Sequence, residues 1–366
     1  MKAVDWKFFL IASLSFCACS KVEKPFGVGN DISVLFSANR TTTGQQVNED
    51  PLSILVFKQT NSGEYTFSPL SDDSGWESSE SVFTKRISLP AGVYRFLLAK
   101  GYSTEPGAST CLFTAGEKGS GGYDKDYFFC YPVENTNGIL KLESCTTDLY
   151  ADANENGFEP NQTEYSLSEG NRFSVRRKIT RLQGRIDFLL RRGQRNADGA
   201  LIPLQEGPEN KDALENALKK ILSVQVTAGN VSSRCHLDGL SFSTPGIYPF
   251  ELAVNDFTAF DSETFTSAFE GVDRTGYSLL EKSAYCKGPL LFPAPGKENI
   301  ELNIIINYVP PLAPKQLSAG LRLERNRAVL VILWLLNEEV GTEITFGEDE
   351  LEFENVDATG DDGFWN

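Results

Sequence analysis

The chain has 366 residues and a formal net charge of −16, with 50 Asp and Glu against 34 Lys and Arg and one histidine. So acidic a balance argues against nucleic acid as a partner and against adhesion to anionic lipid surfaces. Phe (25) and Tyr (12) are plentiful and Met occurs once, which suits sheets packed on aromatic residues, and the length allows two domains of ordinary size.

The chain opens MKAVDWKFFLIASLSFCACSK. Lys2 and Lys7 make a weak basic region before an apolar run from Phe8 to Phe16. That run is too short for a membrane-spanning helix, which needs about 20 residues, and it suits a signal peptide. It ends at Phe16-Cys17-Ala18-Cys19-Ser20, which resembles a bacterial lipobox. A small residue normally precedes the modified cysteine, so Cys19, after Ala18, is the expected lipidation site rather than Cys17, after Phe16. The alternative is a plain secretory signal with two incidental cysteines. Residues 1–19 read as signal and 20–29, SKVEKPFGVG, as a tether.

In NDISVLFSANRTTTGQQ (30–46), Ile32, Val34 and Phe36 alternate with Ser33, Leu35 and Ser37, the period of a strand with one face buried. Arg40 and Thr41 follow, in a small polar stretch. Then come LSILVFKQTNSGEYTF, two strands around the turn Asn61-Ser62-Gly63, and GVYRFLLAKG, where Tyr94, Phe96 and Leu98 alternate with Arg95 and Leu97. Short apolar runs near 130 (FFCYPV) and 140 (GILKLES) continue the spacing of a sandwich, with Gly/Ser-rich loops between them. The polar stretch 148–171 marks a boundary, which gives an N-terminal β-sandwich over 30–170 and a C-terminal one over 171–366.

In the second part, Leu182, Ile186, Phe188 and Leu190 share a strand face with Gly184, while Gln183, Arg185 and Asp187 take the other. ENKDALENALKKIL (209–222) carries an apolar stripe of Leu214, Ala217, Leu218, Ile221 and Leu222, and predicts the one convincing helix. ELNIIINY turns Leu302, Ile304, Ile306 and Tyr308 one way, and AVLVILWLL (328–336) reads as a buried central strand. Residues 341–366 hold nine Asp or Glu and no Lys or Arg, yet include the alternating patches Ile344/Phe346 and Leu351/Phe353. A solvating tail has no use for such patches, and a strand that carries them needs a groove in its own chain or another. The predicted fold is mostly β, two sandwiches in tandem with one helix in the second and an acidic C-terminal extension.

Motifs for chemistry are few. His236 follows Cys235, and neighbouring strand residues face opposite ways, so the pair is no dyad. Walker A, GxSxG, HExxH and dinucleotide patterns do not occur, and no cofactor is expected. DANENGFEPNQT sets Asp152, Asn154, Asn156 and Gly157 at calcium-loop positions, but Thr163 stands where Glu is needed, so a linker is the better reading. The basic run RFSVRRKITRLQGR (172–185) either meets an acidic partner, such as the tail of a neighbouring copy, or is the solvated face of a strand. Beyond Cys19 the cysteines are Cys111, Cys130, Cys145, Cys235 and Cys286, without a CxxC pair, which argues against zinc. A disulfide is expected among Cys111, Cys130 and Cys145. With five cysteines at least one stays free or pairs with another chain.

Several of these pieces resemble the fimbrillin superfamily of the Bacteroidales, the FimA, FimB and Mfa-type pilus subunits and anchors. They are the lipobox at Cys19, ISVLFSANRTTTG, LSILVFKQTNSGEYTF, AGVYRFLLAKG, and DLYADANENGF leading into SVRRKITRLQGRIDFLL. The resemblance implies tandem transthyretin-like β-sandwiches, export to the outer membrane as a lipoprotein, and assembly with other subunits into adhesive surface fimbriae. In polymerising members an arginine-specific protease cuts behind the first strand, and a strand of the next subunit fills the vacated groove. On that pattern Arg40 and Thr41 match the cutting position, Ile32, Val34 and Phe36 the removed strand, and Ile344, Phe346, Leu351 and Phe353 a candidate donor. Anchor-type members keep the first strand and the lipid, and the very acidic DDGFWN end favours an anchor or tip component over the main stalk. The rival from another class is a carbohydrate-binding surface lipoprotein. Trp334 lies in a core-like strand, which leaves Trp76 and Trp365 to stack on sugar rings, with Tyr102 and Tyr123 contributing. A secreted enzyme on a β scaffold has no residue to point to.

Overall fold

The structure is a computed structural model. It describes residues 32–39, 52–69, 75–79, 82–105, 110–116, 123–143, 148–153, 163–170, 172–204, 213–237, 241–268, 282–336 and 343–347. Strands β1 (Ile32–Asn39), β2 (Ser53–Gln59), β3 (Tyr65–Pro69), β4 (Glu77–Ser79), β5 (Val82–Leu89) and β6 (Gly92–Lys100) join β12 (Tyr150–Ala153), β13 (Tyr165–Leu167) and β14 (Phe173–Arg181). Together they make a nine-stranded sheet in the order β3-β2-β6-β12-β14-β1-β5-β4, with β13 added to β6.

A second sheet of nine takes β7 (Tyr102–Ser103), β8 (Cys111–Ala115), β9 (Tyr127–Cys130), β10 (Val133–Thr136) and β11 (Ile139–Leu142) from the first half of the chain. From the second half it takes β17 (Ile221–His236), β18 (Phe242–Ala253), β22 (Ile300–Tyr308) and β23 (Lys315–Leu321). The third sheet is built on β15 (Gly184–Arg195) and β24 (Ala328–Leu336), which run parallel. Around them lie β16 (Leu201–Pro203), β19 (Thr258–Ala259), β20 (Ala284–Cys286), β21 (Leu290–Leu291) and β25 (Glu343–Gly347). Among the described residues α-helix is confined to α1 (Tyr123–Asp126), α2 (Ala213–Leu218) and α3 (Ser262–Ala268).

The apolar runs explain the layers. In β2, Ile54 and Val56 face one core while Leu55 and Phe57 face another; in β6, Phe96 and Leu98 oppose Leu97 and Ala99 in the same way. A strand buried on both faces reads as continuous hydrophobicity, and these two strands form a middle layer. On one side lie β1 and β5. On the other an aromatic cluster of Phe57, Phe113, Tyr127 and Phe129 joins them to β8 and β9. That second core runs on without a break between the second and third sheets, through Val224, Val226, Leu302, Ile304, Phe188, Leu190, Leu333 and Leu335.

The mostly-β expectation holds, as do the hairpin turning at Gly63 (φ +85) and the central placement of β24 between β15 and β25. Other expectations change. Residues 209–212 of the helix expected over 209–222 lie outside the described residues, and its far end stops early at Leu218, because Ile221 pairs with Tyr308 and is buried as the first residue of β17, and a pairing across sixteen residues of strand outweighs one more helical turn. β14, read from the sequence as the opening of the second unit, lies between β12 and β1 in the first sheet. Cys111 and Cys130 cannot form the expected bridge with each other. Cys130 is the register partner of Leu112, so it shares Leu112's side of the sheet, while Cys111 lies on the other side with Phe113 and Phe129. Both are free thiols, as are Cys235 and Cys286; Cys145 lies outside the described residues.

Gly101 fixes the turn after β6. Its φ is +84 and a Cβ there would overlap the Asp148 carbonyl oxygen. Gly101→Ala is expected to lower stability by more than the about 1–3 kcal/mol of a strained backbone alone, read as a drop in the urea midpoint.

Candidate functional site

β1 is an inner strand. It pairs antiparallel with β5 along its whole length, from Ile32 opposite Leu89 to Asn39 opposite Val82. On its other edge it runs parallel to β14, with Val34 beside Phe173 and Phe36 beside Val175. The alternation read from the sequence is realised: Ile32 is 4 % exposed, and Val34 and Phe36 are fully buried. Ile87 and Leu89 flank them on β5, Phe173 and Val175 on β14, and Ile54, Val56, Phe96 and Leu98 form the floor beneath. The Phe36 ring meets Phe96 edge to face at 5.0 Å and 86°.

Two forces therefore hold β1. At about 1.5–3 kcal/mol for each fully buried Val, Ile or Phe, its three core side chains contribute on the order of 5–9 kcal/mol. Its backbone also satisfies facing N–H and C=O groups of two neighbours at once. Taking β1 away would leave a slot one strand wide, floored with apolar side chains and edged by unpaired backbone on both sides. Only another extended segment of alternating character meets both demands.

Charge ties the residue before β13 to β3 and β6. Glu164, just before β13, accepts hydrogen bonds from Tyr65 Oη at 2.5 Å and Arg95 Nη2 at 2.9 Å, and these two donors hold its carboxyl below the usual carboxylate range. Burial is the main cause that pushes Tyr65 up to about 12. The Arg95 guanidinium lies over both the Tyr65 and Tyr123 rings, 4.4 and 4.7 Å from their centres. Tyr165, the next residue, packs its ring 5.5 Å from Phe96.

Cys19, Arg40 and Thr41 lie outside the described residues; Arg40 follows the last residue of β1 directly. The candidate donor segment is divided. Its first part is β25, which pairs antiparallel with β24 of its own chain and sets Ile344 opposite Leu335 and Phe346 opposite Leu333. Leu351 and Phe353 lie outside the described residues. The structure thus brings Ile32, Val34 and Phe36 together in one core and keeps β25 in a different sheet. The walls of the slot, β5 and β14, were not visible as such in the sequence; the alternation of Phe83, Lys85, Ile87 and Leu89 in SVFTKRISL was the available signal for β5.

Other singled-out residues resolve differently. The aromatic residues offered for sugar stacking are engaged within the chain: Tyr123 is 2 % exposed, half-buried Tyr102 lies against Phe113 and Phe129, and half-buried Trp76 packs on the β1 core with its Nε1–H donated to the Leu52 carbonyl. Trp365 lies outside the described residues. Three arginines of the basic run meet acids of their own chain rather than of a partner. Arg177 stands 2.7 Å from Asp152, Arg181 donates to Asp148 at 2.8 Å, and Arg185 grips buried Asp187 with two nitrogens. Asp152, first of the calcium-loop positions, is thereby engaged, and no group of three or more His, Cys, Asp or Glu among the described residues could hold a metal ion. Cys235 is buried in the core, while His236 faces the other way, 3.2 Å from the Ser243 hydroxyl.

No family model matches the chain, and no curated protein does. Among solved structures it is similar to a candidate polysaccharide-binding protein from Bacteroides thetaiotaomicron, at 11 % identity over 87 % of this chain and 95 % of that one, with a TM-score of 0.43. It is also similar to a fimbrial assembly protein from Parabacteroides distasonis (9 %, 87 % and 99 %, TM-score 0.35). A third is the tip fimbrial protein Mfa3 from Porphyromonas gingivalis (10 %, 86 % and 99 %, TM-score 0.32). Others are candidate adhesins of Bacteroides species.

If β1 is integral to the core, Phe36→Ala should destabilise the protein by about 3–5 kcal/mol in urea unfolding. Phe36→Asp should be degraded on export. A Phe36→Asp protein as protease-resistant as the parent would show that the strand is dispensable.

Proposed function

We propose that this chain is a structural subunit of a surface fimbria, assembled with other subunits by exchange of strands and placed at an end of the filament, as anchor or tip, rather than in the stalk. The observation that carries the proposal is β1: a strand paired on both edges, buried along one face, and followed at once by Arg40. Cleavage behind Arg40 would convert a finished sheet into an acceptor for a neighbour's strand. Retention of β1 would leave the sheet closed. The same proposal includes two tandem transthyretin-like sandwiches, a lipid on Cys19 that tethers the new protein to the outer membrane, and a role in adhesion that involves no reaction.

The end position follows from what a filament joined by strand exchange requires. A subunit within the stalk must both accept and donate a strand, whereas one at an end needs only one of the two. Here β25, the first part of the candidate donor, is already paired with β24 of its own chain.

The test is mass spectrometry of surface fimbriae sheared from cells. The chain is expected there in far smaller amount than the main subunit. Its N-terminus should be either lipid-modified Cys19 with Arg40 uncut, which assigns the anchor, or Thr41, which assigns an accepting end. Absence from the fimbrial fraction defeats the proposal, and abundance equal to the main subunit defeats the end placement. Separately, Cys19→Ala should release the protein from the membrane fraction, and continued membrane association would refute lipidation there.

A further inference from the structure

Residues of β15 and β24 alternate between two faces of the third sheet. Phe188, Leu190, Leu333 and Leu335 enter the core shared with the second sheet; Leu189, Ile332, Trp334 and Leu336 belong to a separate apolar cluster on the opposite face. On that outer face Arg191 and Trp334 are register partners, and the guanidinium carbon stands 5.4 Å from the centre of the indole. Arg191 is 6 % exposed and Trp334 4 %. Burial pulls the guanidinium's pKa down from its ordinary value, though it remains a cation.

Among the described residues neither group has an acceptor. Among the described residues Arg191 meets only the Trp334 ring, and Trp334 Nε1–H is buried with no hydrogen-bond partner. A nearly buried cation without a counter-charge, beside a buried donor without an acceptor, is an unfavourable arrangement until something supplies both. A guanidinium fork and an adjacent indole N–H are matched by one planar group with two acceptor oxygens and a negative charge, which is a carboxylate.

We propose that Arg191 and Trp334 form a carboxylate seat, and that its occupant is the acidic segment 348–366 of the same chain. That segment carries eight Asp or Glu and no Lys or Arg. It also begins in the right place. Thr345 of β25 is the register partner of Trp334, and Gly347, where β25 ends, is the partner of Ile332. Glu348 therefore follows Thr345 by three residues, at most about 10 Å of extended chain. A carboxylate tethered so closely has an effective concentration in about the millimolar range or above, which favours it over carboxylates free in solution. With the segment seated, the chain end is held against β24 and β25 stays in its own sheet. The seat stands apart from the assembly proposal, since it exists whether or not a filament is built.

The test follows the Trp334 indole N–H by NMR in protein labelled with ¹⁵N-tryptophan, the signal being identified with Trp334→Phe. Ending the chain at Gly347 should move that signal upfield, as for loss of a hydrogen bond, and synthetic peptide 348–366 added to the shortened chain should move it back. Arg191→Gln in the full chain should give the shortened chain's signal and no response to peptide, and salt at about 0.5 M should weaken the peptide's effect. If Arg191→Gln does not fold, the truncation and peptide arms decide alone. A signal that ignores truncation, or a peptide without effect, overturns the seat. Sodium formate acting as well as the peptide at equal carboxylate concentration makes it a general anion site and overturns the assigned occupant. A full-chain signal that changes with protein concentration gives the seat to a second copy's segment and overturns the intrachain assignment.

Discussion

An inner strand cannot be unpaired on one edge without exposing backbone groups on the strands beside it, and this constraint governs the first sheet. β1 closes the gap between β5 and β14, which have no other partner at that position. Because its pairing is parallel on one side and antiparallel on the other, the slot has a direction as well as a width. Whatever fills it must run the same way, and must set its apolar residues at the depth where Ile32, Val34 and Phe36 now sit. Specificity for a strand of one polarity and one register is thus inherent in the sheet.

The second consequence concerns charge. The chain is strongly acidic, yet several of its arginines are used inside. Asp187 is fully buried and accepts from Arg185, from Tyr285 Oη and from the Gly288 backbone N–H, so that each carboxylate oxygen is engaged. Gln183, also fully buried, accepts from Leu149 N–H and donates to Tyr131 Oη, which in turn donates to the Leu290 carbonyl. These residues lie where the chain leaves the first sheet for the third. Polar groups with every partner in place are costly to separate, so the passage from β14 to β15 is a fixed joint rather than a slack linker.

Local patterns were legible in the sequence where neighbouring residues decide the outcome. The β2–β3 hairpin follows from its Gly63 turn, the faces of β6 and β22 from their alternation, and the interior position of β24 from nine apolar residues in succession. What was hidden depended on distant residues. Nothing near Phe173 announces that β14 lies beside β1, since parallel pairing leaves no turn in the sequence to reveal it. Ile221 and Leu222 fit a helical stripe as well as they fit a strand until Tyr308 claims Ile221. The basic run looked like a solvated or partner-binding face because Asp148 and Asp152 carry no local sign of where their countercharges lie. Of the candidate site, the buried face of β1 was legible, and its walls were not.

β17 has a mechanical meaning. Its sixteen residues extend about 50 Å, pairing with β22 near its start, with β18 along most of its length, and with β9 at its end. A pull applied along this strand meets ladder bonds that stand perpendicular to the load. Hydrogen bonds loaded in that direction share the force and must yield together, whereas bonds at a peeling edge yield one at a time. The long strand is a tension member, and it would resist a pull along its axis far better than the same number of bonds distributed over short hairpins.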